Sequence, residues 1–264
     1  MDDSHQSLQE AIERNGVAHT LYWCQWSQMQ VVEHPHAIVT ESLLPCPFFN
    51  NVFSASFPNG EQARHVEELV DRFRRAKVPL FWWSGPVVRD RDLNKHLLAN
   101  GLFKAFEAPA MAKSLKHPLE KLKDSICVEE ITDTDNIKEW SLVCASAFEF
   151  DSQMAEWWCD LYSSLPFGTG TPLRHYVARV DGKPVATASA FRTDDTVGVA
   201  SIGVIPAHRR RGIGTAITLR ALNNAQQQGC DLAVLFSSEM AKAMYEKIGF
   251  VQYGNGECYL SPSE

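Results

Sequence analysis

What the chain lacks narrows its identity first. Its seven cysteines are odd in number and scattered, with no C-x-x-C pair, so neither a disulfide framework nor a zinc site is expected. A reducing, cytoplasmic setting follows as the expected compartment. No apolar run reaches the length that spans a bilayer. Residues 1–16 (MDDSHQSLQEAIERNG) open with acids instead of a basic start and an apolar stretch, so they read as an amphipathic helix and not as a leader. Net positive charge is also missing, because 32 Asp and Glu stand against 25 Lys and Arg. Nucleic acid and anionic membranes, which are held by summed positive charge, are therefore not expected partners. His34 and His36 flank a proline and His175 and His208 stand apart; nothing completes a ligand set, so no metal is expected.

What the chain does have is an apolar content of 45% over 264 residues, enough for one large domain or two ordinary ones. From residue 126 onward the punctuation is clear. Residues 126–131 read as a strand, Thr132 and Asp135 as a capping signal for a helix to about Phe148, and residues 153–161 as a second helix. Two strands at residues 175–180 and 184–191 flank Asp181-Gly182-Lys183, a hairpin turn. The β-branched run at residues 197–205 stops at Pro206, a helix follows at residues 212–228, and then come a strand (232–236), a helix (238–248) and a short last strand (258–260). This order predicts a mixed α/β fold.

Between the strand and helix in the middle of that order lies HRRRGIGTAI, His208 to Ile217, a concentrated positive turn in an acidic chain. A helix start leaves backbone N–H groups unpaired and carries a partial positive charge, so the amides of Arg210, Arg211, Gly212, Ile213, Gly214 and Thr215 converge on one anion. Glycine at 212 and 214 lets that anion approach the backbone, and the spacing suits a pyrophosphate. A P-loop would need G-x-x-x-x-G-K-S/T, and a dinucleotide fold would need a third glycine where Ile217 stands. An arginine-rich RNA contact would need more basic and aromatic neighbours than the single Arg220 of the following helix.

The stretch from Ile202 to Gly214 resembles motif A of the GNAT superfamily of acetyl-CoA-dependent N-acetyltransferases, whose loop reads Q/R-x-x-G-x-G/A and is matched by Arg209 to Gly214. Downstream, Ala241 to Phe250 resembles the family's A-x-x-x-Y-x-x-x-G-F element. The resemblance implies a central, mostly antiparallel mixed sheet flanked by helices. It implies acetyl-CoA as cosubstrate, its pyrophosphate on the loop amides from Arg209 to Thr215 and its pantetheine arm along the backbone of Ile202 and Val204, where that strand splays from its neighbour. By the same match the Val204 N–H polarises the thioester carbonyl and Tyr245 protonates the departing thiolate. Ser238 stands where many members carry Asn, seven residues before the Tyr.

The motif strand carries no acid, which leaves the general base open between Glu149, Asp151, Glu156 and a chain of waters. Phe148, Phe150, Trp157, Trp158 and Phe167 crowd the same region, either as walls of an acceptor pocket or as core. The implied reaction moves acetyl to a primary amine of a small molecule; the alternative is a non-catalytic protein that binds acyl-CoA or senses a ligand. Nothing in the sequence specifies an oligomeric state.

The first half repeats the order of the second. Residues 57–60 compare with 205–208, VPLFWW (78–83) with LAVLF (232–236), and Gly101-Leu102 with Gly249-Phe250. Helices at residues 61–77 and 91–100 fit between these points. No Arg-Arg-x-Gly-x-Gly is present there, and Leu97 stands where Tyr245 stands in the second half. The expected organisation is a degenerate GNAT-like domain at residues 1–120 and a catalytic one at 126–264, joined by the polar, proline-broken segment 113–123. The stretch LFWWSGP (80–86) is too apolar for an exposed edge and is expected as a buried central strand or at the face between the halves, with Asn50 and Asn51 within reach of the acceptor cleft.

Overall fold

In the computed structural model, residues 3–87, 92–120 and 126–262 are described. The first half runs α1 (Asp3–Trp23), β1 (Met29–Val32), β2 (Ile38–Ser42), β3 (Asn51–Phe53), α2 (Gln62–Ala76), β4 (Phe81–Ser84), α3 (Leu93–Ala99) and β5 (Phe103–Ser114). The second runs β6 (Cys127–Ile131), α4 (Thr134–Ala147), α5 (Ser152–Ser164), β7 (Leu173–Val180), β8 (Lys183–Thr193), β9 (Thr196–Val204), α6 (Ile213–Gln227), β10 (Leu232–Phe236), α7 (Glu239–Lys247) and β11 (Val251–Leu260).

All strands belong to one sheet in the order β1-β2-β3-β4-β11-β5-β10-β9-β8-β7-β6. Two neighbouring pairs are parallel, β3 with β4 and β9 with β10, and each is joined through a helix, α2 or α6. The other pairs are antiparallel. The fold is therefore mixed α/β with two halves built alike. At the centre the halves interlock, because β11 lies between β4 and β5 while β5 lies between β10 and β11. Each half places its last strand inside the other's sheet, and the exchanged strands are buried at Ala110, Met111 and Cys258.

Local chemistry sets the boundaries. Asp181 and Gly182 both take positive φ, 51° and 74°, the geometry of a tight hairpin turn between β7 and β8. Asp133 caps α4 by accepting the Asn136 amide at 2.9 Å, so the cap is Asp133 and not Thr132. Helix α1 runs on past Gly16 to Trp23. That glycine is a point of close approach and not a stop, since a Cβ there would meet the Phe236 ring at 3.2 Å.

Strands β1, β2 and β5 were not expected from the sequence. The expected linker is also shorter than predicted at its start: Lys113 and Ser114 belong to β5 and Leu115 is buried, while residues 121–123 and 91 lie outside the described residues. Strand β11 begins seven residues before the expected 258.

Helices α1, α4 and α5 cover one face of the sheet and α6 and α7 the other, as neighbouring residues of β9 show. Gly198 faces Asn15 of α1 and Gly203 faces Ala147 of α4, whereas Val204 packs on Gly214 of α6. Val197 and Val199 join the core with Ile213, Ile217 and Leu222.

Candidate functional site

The site is built where β9 and β10 part. Their parallel pairing runs from Leu232↔Thr196 to Val234↔Gly198 and ends there, although both strands continue. Beyond that point β10 pairs only with β5, through Leu235↔Met111 and Phe236↔Ala110, and β9 pairs only with β8. A bulge at Ser201, whose φ is 50°, bends β9 away, and the Thr187 hydroxyl holds the bulge by donating to the Ser201 carbonyl at 2.9 Å.

Past the bulge the backbone orientation is fixed. The Ile205 amide donates to the Val185 carbonyl at 3.0 Å, which makes Val204 and Ala186 a facing pair that do not bond each other. The Val204 N–H and C=O therefore turn to the open side of the strand, as do those of Ile202 two residues earlier. Arg209 uses the Val204 carbonyl, donating from Nε at 3.0 Å.

The loop that follows is a set of free donors. Among the described residues the amides from Arg210 to Thr215 have no acceptor, and Gly212 caps α6 at φ 80° without a side-chain bond. The two glycines serve different purposes. Gly212 has open space around it and supplies the left-handed turn, while a Cβ on Gly214 would meet the Met244 sulfur of α7 at 3.1 Å. Arg209 is committed to structure: its Nη2 donates to the Ala147 carbonyl at 2.9 Å and approaches Glu149 Oε1 at 3.3 Å, tying the loop to the end of α4. Arg211 lies 3.2 Å from His208 Nδ1. Arg210 is exposed, leaving its charge available in front of the helix.

A cavity of about 420 Å³ occupies the gap and is lined from both faces of the sheet. Tyr245 and Ser238 reach it from the α7 side, Gly198 to Ile202 form its floor, Phe148 and Phe150 come from the connection between α4 and α5, and Trp158 comes from α5. Tyr245 is 6% exposed, packs edge-on against Phe250 at 5.7 Å and bonds no described residue through its hydroxyl. Burial raises its pKa above the ordinary phenol value, so it stays protonated at neutral pH.

The remaining wall comes from the first half. Helix α1 contributes Asn15, Gly16, His19, Thr20 and Trp23, and Phe48 adds one ring. Sequence reasoning missed these residues. The available signal was that residues 15–23 continue a helical pattern carrying a His and a Trp on one side. Burial lowers the His19 pKa to about 4, and its Nε2 has no partner among the described residues. His175 lies deeper, bonding Ser189 at 3.0 Å.

The expected base candidates are engaged elsewhere. Glu149 pairs with Arg209, Asp151 caps α5 by accepting the Met154 amide at 2.7 Å, and Glu156 accepts from Gln153 at 3.3 Å. Trp157 packs on Phe49 and Phe167 on His175, in the core. Asn50 is consumed by the backbone of residues 42–46, and Asn51 borders a smaller neighbouring cavity instead. His34 and His36 gather around His65 with ring centroids 5.7 and 5.0 Å from it, but among the described residues no cluster has metal-holding geometry.

Residues 134–250 match the profile of the Acetyltransferase (GNAT) family. Among solved structures, the fold resembles a GCN5-related N-acetyltransferase from Kribbella flavida at 17% identity and a TM-score of 0.73, covering 95% of this chain and 96% of that one. A tandem GNAT protein from the clavulanic acid biosynthesis pathway aligns at 13% identity and a TM-score of 0.64, over 100% of this chain and 96% of its own. A GCN5-related N-acetyltransferase from Sphaerobacter thermophilus aligns at 13% identity and 0.64, over 96% and 93%. No curated protein matches the chain.

Proposed function

Since residues 134–250 form an acetyltransferase domain of the GNAT family, which makes the chain an acyltransferase, we propose that it moves acetyl from acetyl-CoA to a primary amine of a small-molecule acceptor. The observation that carries this reading is the parting of β9 and β10 beyond Gly198 and Val234, which leaves an open strand edge between the free loop amides at one end and Tyr245 at the other. The residues present fit the cosubstrate. The amides from Arg210 to Thr215, with the exposed charges of Arg210 and Arg211, suit a diphosphate. The edge of Ile202 and Val204 suits an extended amide-bearing arm, and Ser238 borders the same cavity.

In this reading the Val204 N–H stabilises charge developing on the thioester oxygen, and Tyr245 supplies the proton that the departing sulfur needs. Residues 126–264 carry the chemistry. Residues 1–120 retain the fold, lack the loop and the acid, and close the acceptor side through α1. A cytoplasmic location belongs to the same proposal, supported by cysteines that are all free thiols; no helix among the described residues is long and apolar enough to cross a membrane. The test is to supply acetyl-CoA with a broad amine panel and follow free thiol. Release that depends on the amine and drops steeply in Tyr245→Phe is expected; firm binding of acetyl-CoA without release on any amine would sink the proposal.

A further inference from the structure

The cavity wall is short of charge. No Asp, Glu, Lys or Arg lines it among the described residues. The carboxylates adjoining its aromatic residues in sequence face elsewhere: Glu149 to Arg209, Asp151 into the start of α5, Glu156 to Gln153. Glu13, on the other flank of α1, borders the neighbouring cavity and accepts the Ser54 hydroxyl at 2.6 Å. What lines the space around the open strand edge is aromatic: Trp23, Phe48, Phe148, Phe150 and Trp158. The polar atoms among them are uncharged. His19 Nε2 is buried without a hydrogen-bond partner among the described residues, while the Tyr162 hydroxyl lies against the Trp23 indole and Ser201.

Building on the acetyl-transfer reading, we propose that the acceptor is an amine already uncharged at neutral pH, an aromatic or similarly weakly basic amine, and not an alkylamine that arrives as an ammonium ion. An ammonium entering this cavity would exchange water for a wall with no counter-ion. Tryptophan faces attract a cation, but they cannot remove its proton, and no carboxylate borders the cavity to do so. The surroundings already disfavour positive charge at His19, whose pKa burial holds at about 4. A weakly basic amine avoids both difficulties. Its nitrogen lone pair forms the new C–N bond as the C–S bond breaks with its electron pair on sulfur. The proton then shed by nitrogen balances the one that sulfur receives, so Tyr245 can hand one on and recover the other with no further base. The unpartnered His19 imidazole nitrogen suits a neutral polar substituent on the same ring.

The experiment compares aniline with benzylamine, rings of similar size of which only the second is cationic at pH 7, using the full chain saturated with acetyl-CoA and following thiol release. A kcat/KM for aniline about tenfold or more above that for benzylamine is expected. Benzylamine equal to or ahead of aniline overturns the inference and leaves acetyl transfer standing. Release from neither amine, with acetyl-CoA bound by calorimetry, also overturns it, whereas failure to bind acetyl-CoA brings down the transferase reading beneath it. A second variant, Thr20→Glu, sets a carboxylate on the half-buried wall of α1 and is expected to narrow the aniline preference about fivefold. An unchanged ratio in the folded variant counts against the inference.

Discussion

A methyl group added to Gly198 would stand 1.7 Å from the Oδ1 of Asn15. Helix α1 of the first half is thus seated on the motif strand of the second, and Asn15 locks it there by donating to the Phe191 carbonyl at 3.0 Å and to the Thr193 hydroxyl at 2.9 Å. Gly198→Ala is expected to cost about 2–3 kcal/mol through overpacking and the loss of these buried bonds. It should also raise KM for the amine while leaving affinity for acetyl-CoA nearly unchanged. Denaturant melts and steady-state kinetics check this; a variant as stable as the parent would mean that α1 is not held at this point.

Tyr245→Phe removes a hydroxyl that bonds nothing in the fold, so stability should change by less than about 0.5 kcal/mol. Its kcat should fall by about 10²–10³, the scale of a lost general acid. Because burial raises the Tyr245 pKa, the acid should remain protonated up to and beyond the ordinary phenol value near 10. Accordingly kcat should show no loss from its ionisation below that pH, and its contribution to stability should decline only above it. A pH–rate profile of parent and variant is the check.

The two loop glycines should fail differently. Gly212→Ala meets only the strain of φ 80° in open space, about 1–2 kcal/mol, and should weaken acetyl-CoA binding with a modest loss of stability. Gly214→Leu must push Met244 aside and should shift α7, so that kcat falls along with affinity. Calorimetry alongside kinetics separates the two; equal behaviour would count against the division of labour described for them.

Acid should destabilise the chain early. Burial depresses the pKa of His19 to about 4 and that of His175 to about 3. The unfolded chain therefore binds protons that the native one refuses, and stability falls as pH drops below the unperturbed 6.5 toward those values. By pH 4.5 the two together should cost roughly 5 kcal/mol. Melting temperatures measured between pH 7 and 4.5 should fall steeply, and less so in a folded His175→Gln variant.

Residues 126–264 expressed alone should not fold, because the place between β10 and β11 is filled by β5 of the other half. The full chain should unfold in one transition, coincident by fluorescence and circular dichroism. A soluble, cooperatively melting fragment would show that the halves are separable.

Legibility in the sequence followed the range of the physics. Elements of the second half declare themselves locally: the β-branched run of β9 stops just before a proline, and Gly229 at φ 85° closes α6 just past its cap, Gln228. Strand β5 does not, because its alanines carry little apolar signal and Pro109 argues against a central position; its place is set by partners more than a hundred residues away. Gly16 reads as a stop in sequence yet is a contact with Phe236 in space. The loop and Tyr245 stand out in the sequence because motif spacing is short-range, and the fold brings Tyr245 to the cavity beside β9. The contribution of α1 to the cavity could not, since it depends on how the halves interlock. Glu149, Asp151 and Glu156 are near the site in sequence, while their partners in the fold are Arg209, the Met154 amide and Gln153.

Phe236 borders both the large cavity and the smaller one, of about 180 Å³, that holds Glu13. Its ring is wedged over Gly16 and set edge-on to Trp83 at 4.8 Å. With Gly16, Thr20, Trp23 and Phe48, which border both spaces as well, it forms the partition between two rooms, one neutral and one with a carboxylate in its wall. Trimming its ring would thin that partition and bring the carboxylate room closer to the neutral one, without touching the turn before α6.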